Sequence, residues 1–367
     1  MPEKNTWDSV LRNISSKKIS EPEPIQVIKS KAPCREADEG GWTDIEKAEY
    51  GRVLSVAIYP AVNVQLNVYE KNNHRNGIEV YAMDFDENII LNYNDNPYDG
   101  QHDLIKAAIN KMEIPDKYAL EAIIKSEMPP ANSTGTSASV SVALIGALDY
   151  LTPGRMLAHQ IAFEAQQLEA KELKYECGIQ DQLAAAYGGI NFIDMYQYPY
   201  ATVSRLDLDR RTFLELDDRM LLFGLNIPHA SSDVHKVVLQ NLGEKGPECE
   251  EFETLRQMPI LARDALLAGD LKKFGQVMRL NTQAQRELHP DLISSKHQLG
   301  IDIAQKYGSW GEKANGAAGP GGSLTILAPA DERVKSEMIL DMEKHEFVYI
   351  PSRIATEGLR VWEVYHN

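Results

Sequence analysis

Met128 to Leu148 reads MPPANSTGTSASVSVALIGAL, and the fold turns on how this stretch is taken. Pro129 and Pro130 cannot continue a helix and force an extended approach. Small hydroxyl and amide residues surround Gly135. Val140, Ala143, Leu144, Ala147 and Leu148 then fall at i, i+3, i+4, i+7 and i+8, the period of a helix with one buried face. A loop of small residues therefore feeds straight into a helix N-terminus, where free backbone N–H groups and the positive end of the helix dipole converge as an anion site. The simpler account is a Ser/Thr N-cap ahead of a core helix, and the loop taken alone is read that way first.

Composition narrows the field. The 367 residues favour two domains over one, and 43% hydrophobic with 25% charged residues describes a globular protein. A formal net charge of −16 argues against nucleic acid as a partner, since phosphate neutralisation needs clustered Lys and Arg, but leaves room for a local nucleotide pocket. Cys34, Cys177 and Cys249 are scattered, odd in number and form no CxxC pair, which fits a reducing cytoplasm. The N-terminus MPEKNTWDSVLRN lacks the apolar core of a secretory signal, and no apolar run approaches the roughly 20 residues of a spanning helix. The expectation is a cytoplasmic protein without a membrane partner.

Outward from the opening stretch, the chain alternates strand and helix signals irregularly, the mark of an α+β or mixed α/β fold. Residues 1 to about 25, with EPEP at 21–24, read as a short helix plus linker. Ile25 to Lys31 predicts a strand leading into KAPCREADEGGWTD (31–44), where Gly40-Gly41 permits a tight turn beside Trp42 and Asp44. Val62, Val64, Leu66 and Val68 alternate with Asn63, Gln65 and Asn67; Ile78, Val80 and Ala82 repeat the period of two. Leu104 to Met112 fits a helix, and Ala119 to Lys125 a strand. Pro153 to Leu173 is helical in pattern, followed by CGIQDQLAAAYGGINFI (177–193), which places Asp181 between two glutamines ahead of Gly188-Gly189. Met220 to Leu225 predicts a strand, NIPHASSDVH follows, and 250–306 reads as two or three helices. GSWGEKANGAAGPGGSLTIL carries a glycine-dense loop at 316–322, and Phe347–Ile350 and Leu359–Val364 are strand-like.

Each motif alone is weak. There is no GxxxxGK[ST], GAAGPGG is not GxGxxG, no HExxH occurs, and the nine histidines show no metal-ligand spacing. His229 and His235 read as loop and helix-cap residues. In combination and order, however, the motifs resemble the GHMP kinase superfamily (galactokinase, homoserine, mevalonate and phosphomevalonate kinases). APCR…GGWTD at 32–44 resembles that family's first motif, PPANSTGTSAS at 129–139 its phosphate loop, and NGAAGPGG at 315–322 its glycine-rich third motif. GIQDQLAAAYGGINFI and PHASSDVH look most like the branch of fucose and D-glycero-D-manno-heptose 7-phosphate kinases.

The resemblance implies a two-domain fold with ATP between an N-terminal domain over 26–200 and a C-terminal domain over 201–367, after a tail at 1–25. It implies a phosphotransferase moving the γ-phosphoryl of MgATP to a hydroxyl, by analogy the anomeric one, of a sugar or sugar phosphate. It further implies Pro130, Asn132, Ser133, Thr134, Gly135, Thr136, Ser137, Gly316 and Gly319 as nucleotide-binding residues, with Ser137 and Glu169 as Mg2+ ligands and Glu164 and Glu172 as rivals of Glu169. Asp181 would take the hydroxyl proton, Arg35 would stabilise the transferring charge, and Asp44, Gly41 and Gly189 would meet the sugar. A homodimer is left open.

The chain departs from the pattern in three places. Glu36-Ala37-Asp38-Glu39 replaces a mostly apolar strand end, and three carboxylates are costly to bury. Ala131 and Ser133 stand where glycine is usual, and each added Cβ opposes positive φ and close approach to phosphate. Ala318 likewise replaces a glycine. These departures define an alternative, a catalytically impaired nucleotide- or sugar-binding relative.

Overall fold

The computed structural model describes residues 23–364 apart from 73–74, 94–95, 153, 229–230 and 318. The expected helix and linker at the N-terminus, His229 and Ala318 lie wholly or mainly outside those residues.

The chain begins with β1 (Gln26–Glu39) and β2 (Gly51–Glu70), a long antiparallel pair, then β3 (Ile78–Ala82), β4 (Glu87–Leu91), helix α1 (Asp103–Lys111) and β5 (Tyr118–Ser126). The opening stretch becomes α2 (Thr136–Asp149), followed by α3 (Ala158–Gln167), a π-helical turn (Leu168–Glu172) and α4 (Gln180–Tyr187). The hairpin β6 (Ile190–Gln197) and β7 (Tyr200–Leu206) leads to α5 (Arg210–Arg219), β8 (Met220–Gly224), α6 (Ser231–Leu242), α7 (Glu250–Leu267), α8 (Leu271–Leu288) and α9 (Ser295–Lys306). The last elements are β9 (Gly311–Ala314), β10 (Ser323–Leu327), α10 (Glu332–Lys344), β11 (Val348–Ile350), β12 (Arg353–Ile354) and β13 (Arg360–Val364).

Two sheets result. The larger runs β13-β1-β2-β5-β3-β4, with β6 and β12 added along the first half of β2 and β7 paired to β6; only β3 and β5 pair in parallel. The smaller runs β11-β8-β10-β9. The period-2 reading of β2 holds: Val62, Val64, Leu66 and Val68 are buried in the core under α2, and Asn67 on the other face donates to Glu121 at 2.8 Å. α2 packs so closely on this sheet that Gly146 meets the side chains of Leu359 and Val361. A Cβ there would have to displace two packed apolar groups.

The division expected at residue 200 is not how the sheets divide. β7 continues the larger sheet to Leu206, and β12 and β13 return to it, pairing with β2 and β1. Sequence distance hid this, because β1 offers a free edge that Val361 and its neighbours complete from the far end of the chain. The helix expected over 153–173 begins at Ala158 and ends in the π-helical turn.

Two irregularities interrupt the β1–β2 ladder. Register shifts fall between Pro33 and Cys34 and between Glu36 and Glu39, flanking Arg35, and Ala37 sits at φ 50°. Bulges of this kind bend a strand and re-aim its side chains.

Candidate active site

A cavity of about 500 Å³ lies where β1, the loop before α2, the loop before α4, α6 and the glycine loop meet. One wall is the loop and helix start from Ala131 to Ala138. The Ser/Thr cap expected from the sequence is absent: the N-cap of α2 is Gly135, left-handed at φ 69°, and no side chain caps the helix. The first-turn amides, which have no partner within the helix, are thereby left to the cavity. Ala131 and Ser133 also adopt positive φ, at 59° and 52°. The added Cβ atoms have not prevented the left-handed backbone at these positions; they make it dearer, by about 1 kcal/mol each.

Arg35 organises the opposite wall. Its Nε donates to Asp181 Oδ1 at 2.7 Å and its Nη2 to Asp181 Oδ2 at 3.2 Å, while Nη1 donates to the Ser133 carbonyl at 2.6 Å. One guanidinium thus ties β1, the loop before α2 and the first turn of α4 together. Burial opposes its charge, but Asp181 and then Asp38 outweigh that and raise its pKa. Gly135 lies against the Asp181 carboxylate, where a Cβ would stand 3.1 Å from Cγ, closer than ordinary contact.

The three carboxylates of β1 are buried after all, and each is accommodated differently. For Asp38, burial would raise the pKa, but Lys313 at 3.3 Å and Arg35 at 3.8 Å carry it below the ordinary value, helped by the Gly316 N–H at 3.1 Å. Glu36 is pushed up to about 7 by burial, against the hydrogen bonds it accepts from Thr325 and Ser352 at 2.8 and 3.3 Å. Glu39, whose two oxygens have no hydrogen-bond partner among the described residues, is pushed up to about 8 by burial, against Lys313. The feared negative charge is removed by protonation or by pairing. A group with a raised folded pKa favours the fold fully below its unfolded value near 4.5 and loses that contribution as pH climbs toward 8. Glu39→Gln is therefore expected to raise Tm by about 4 °C at pH 8 and to leave it nearly unchanged at pH 4.5, as read by thermal unfolding.

Asp44 sits at the far end of the cavity. Its Oδ2 accepts the backbone N–H groups of Ile179 and Gln180, both at 3.0 Å, so it caps α4 from a distant turn. Gly178 makes this approach possible, since a Cβ there would overlap the carboxylate. Burial raises Asp44 to about 6, against those backbone bonds. Glu169, in the π-helical turn, accepts from Gln182 Nε2 at 2.8 Å and is raised to about 7 by burial. Of the three glutamates weighed from sequence, only Glu169 lines the cavity; Glu164 pairs with Lys111 at 3.4 Å and Glu172 is exposed.

The structure therefore brings Arg35, Asp44, Asn132, Ser133, Thr134, Gly135, Thr136, Ser137, Glu169, Asp181 and Gly316 to one cavity. Pro130, Gly319, Gly41 and Gly189 lie outside its lining. Pro130 ends the extended approach, Gly319 packs on Val234, and Gly41 approaches Asp38, where a Cβ would stand 2.6 Å from Oδ2. Gly189 donates to the Ala355 carbonyl at 2.6 Å and lies against Arg205. Those glycines serve turns and close packing. His235, read from sequence as a helix cap, is inside α6 and faces the cavity.

Fit to a magnesium ion rests on hard oxygen donors. Glu169 and the exposed Ser137 supply them, and the buried Gln182 Oε1 beside Glu169 has no partner among the described residues. Among those residues no three His, Cys, Asp or Glu side chains converge into a complete metal cage. Mg2+ takes one or two protein ligands and otherwise water and phosphate oxygens.

The chain is similar to known proteins in sequence and in fold. Residues 103–189 match the GHMP kinases N terminal domain. The chain is 23% identical over 351 residues to the D-glycero-alpha-D-manno-heptose 7-phosphate kinase of Campylobacter jejuni, covering 93% of this chain and 100% of that one. A galactokinase of Chloroflexus aggregans is 27% identical, covering 58% of this chain and 61% of its own. Among solved structures, Lactococcus lactis galactokinase complexed with galactose superposes with a TM-score of 0.72 at 16% identity, covering 97% of this chain and 100% of that chain. Among the described residues no helix is long and apolar enough to cross a membrane.

Proposed function

We propose that this chain is a GHMP-type, ATP-dependent sugar kinase, transferring the γ-phosphoryl of MgATP to a hydroxyl of a sugar or sugar phosphate. The observation that carries the reading is the bidentate Arg35–Asp181 pair, set in one cavity with the uncapped N-terminus of α2. In the transfer, the bond between the γ-phosphorus and the β–γ bridging oxygen breaks and a bond to the sugar oxygen forms. The hydroxyl proton passes to Asp181, and ADP leaves.

The chain's own residues prepare each part. The α2 first-turn amides and the Gly316 loop bind polyphosphate through backbone dipoles, so few lysines are needed. Mg2+ held at Glu169 and Ser137 would neutralise charge on the phosphates. Arg35 holds Asp181 in position and brings positive charge to the transferring group. The anomeric hydroxyl is favoured by family analogy with the heptose-phosphate and galactose kinases.

Release of ADP by the full chain, followed in a coupled assay over a panel of sugars and sugar phosphates, tests the proposal. Turnover with at least one of them is expected; none, alongside ATP binding by calorimetry, would leave a binding protein instead. Acceptor affinity should also follow Asp44, whose pKa near 6 means that it accepts a sugar hydroxyl when ionised above that pH. The KM for sugar is expected to rise about 10-fold between pH 7 and pH 5, one decade per pH unit below the pKa, while the KM for ATP moves less.

A further inference from the structure

Three polar atoms in the Asp44 half of the cavity are buried and have no hydrogen-bond partner among the described residues: Trp42 Nε1, His235 Nδ1 and Gln180 Oε1. They form one surface. Trp42 lies two residues before Asp44, Gln180 reaches Asp44 through its backbone N–H, and His235 is stacked on Trp42 with ring centroids 4.6 Å apart and planes at 33°. Trp42 is 3% exposed and Gln180 7% exposed. Buried polar atoms are almost always satisfied, so three unsatisfied ones on side chains that line one cavity point to a ligand that pairs with them.

The chemistry of the trio defines that ligand. An indole N–H can only donate and an amide oxygen can only accept. Burial lowers the His235 pKa to about 4, so near neutral pH its imidazole is uncharged and offers one donor and one acceptor. With the Asp44 carboxylate alongside, the wall alternates donors and acceptors without a net positive charge, and two stacked rings give it an apolar face. Hydroxyl groups, which donate and accept at once, complement such a wall.

The charge around it is the second observation. Arg35 is the one permanently cationic side chain among the described residues lining the cavity, and it is committed to Asp181 and to the Ser133 carbonyl. Lys313, behind the wall, is fully buried against Asp38. Asp44, Glu176 and Asp181 line the same cavity. A phosphate carried by the acceptor would enter among carboxylates with no free cation among those lining residues to receive it.

We infer that Trp42, His235 and Gln180, together with Asp44, read the hydroxyls of an uncharged sugar, and that the acceptor is a free sugar and not a sugar phosphate. The inference rests on the kinase reading, which by itself admits both acceptor classes. These three are positioning and specificity residues; the proton acceptor is still Asp181.

The test is ADP release by the full chain with MgATP and D-mannose, D-galactose or a free heptose, each beside its own 6- or 7-phosphate. The expected result is a kcat/KM at least about 100-fold higher for the free sugar of the best pair, the scale on which a site rejects a group it cannot pair. Equal or preferred use of the phosphate overturns the inference while the kinase reading stands. Release with neither form removes the kinase reading, and the inference with it. The residues are tested separately through Trp42→Phe and His235→Phe, which keep ring packing. Each should raise the KM for the sugar about 10-fold with the KM for ATP and the Tm unmoved, a split that a merely structural role would not give. An unchanged sugar KM in both variants would overturn their assignment.

Discussion

Asp181→Asn is expected to lower kcat by about 10³-fold, the scale of general-base contributions, while ATP affinity by calorimetry changes less than threefold. The carboxylate is held in the cavity by Arg35, and the amide cannot take a proton. Asparagine also turns one of the two acceptor oxygens that face Arg35 into a donor, so the bidentate pairing at 2.7 and 3.2 Å is lost. Single-turnover kinetics separates the two effects, because loss of positioning alone slows the step without removing its dependence on pH. If turnover in the variant stays above a tenth of the parent's, Asp181 is not the base.

Lys313→Met is expected to destabilise the protein by about 3–5 kcal/mol, the cost of removing one partner from a buried ion pair. Lys313 and Asp38 are both fully buried, and Lys313 also donates to Gln285 at 3.1 Å and to the Ala314 carbonyl at 2.5 Å. Without it, Asp38 keeps the Gly316 N–H and would draw Arg35, now 3.8 Å away, from Asp181. Stability and catalysis should therefore fall together. Denaturant unfolding gives the first and kcat the second. Adding Asp38→Asn to the lysine variant removes the orphaned charge and should recover at least half of the lost stability; failure to recover it would show that packing, not charge, sets the cost.

The two variants act through one feature, the end of β1. Its bulges turn Arg35 toward α4 and leave Glu36, Asp38 and Glu39 between the two sheets. From sequence, three acids at a strand end signal exposure. Thr325, Ser352, Lys313 and Gly316, which make their burial tolerable, come from beyond residue 310. No local pattern could announce them.

The sequence by itself determined what depends on neighbours in the chain. The alternation along Val62 to Val68 produced a strand with one buried face. The apolar period after Gly135 produced a helix that starts where the small residues end. The order of the motifs carried the family resemblance that implies Arg35, Ser137, Glu169 and Asp181, and these four line one cavity. Tertiary structure alone decided what depends on distant partners. It uncapped α2 by holding Gly135 left-handed, and it carried β13 back to β1. It turned Asp44 into the cap of α4 as well as a cavity wall, and it stacked His235 on Trp42. The stretch 128–148 shows the boundary between the two. Its helix is written in the apolar period, but the loop before it is held at the cavity by a bond from β1, where Arg35 pins the Ser133 carbonyl from nearly a hundred residues earlier.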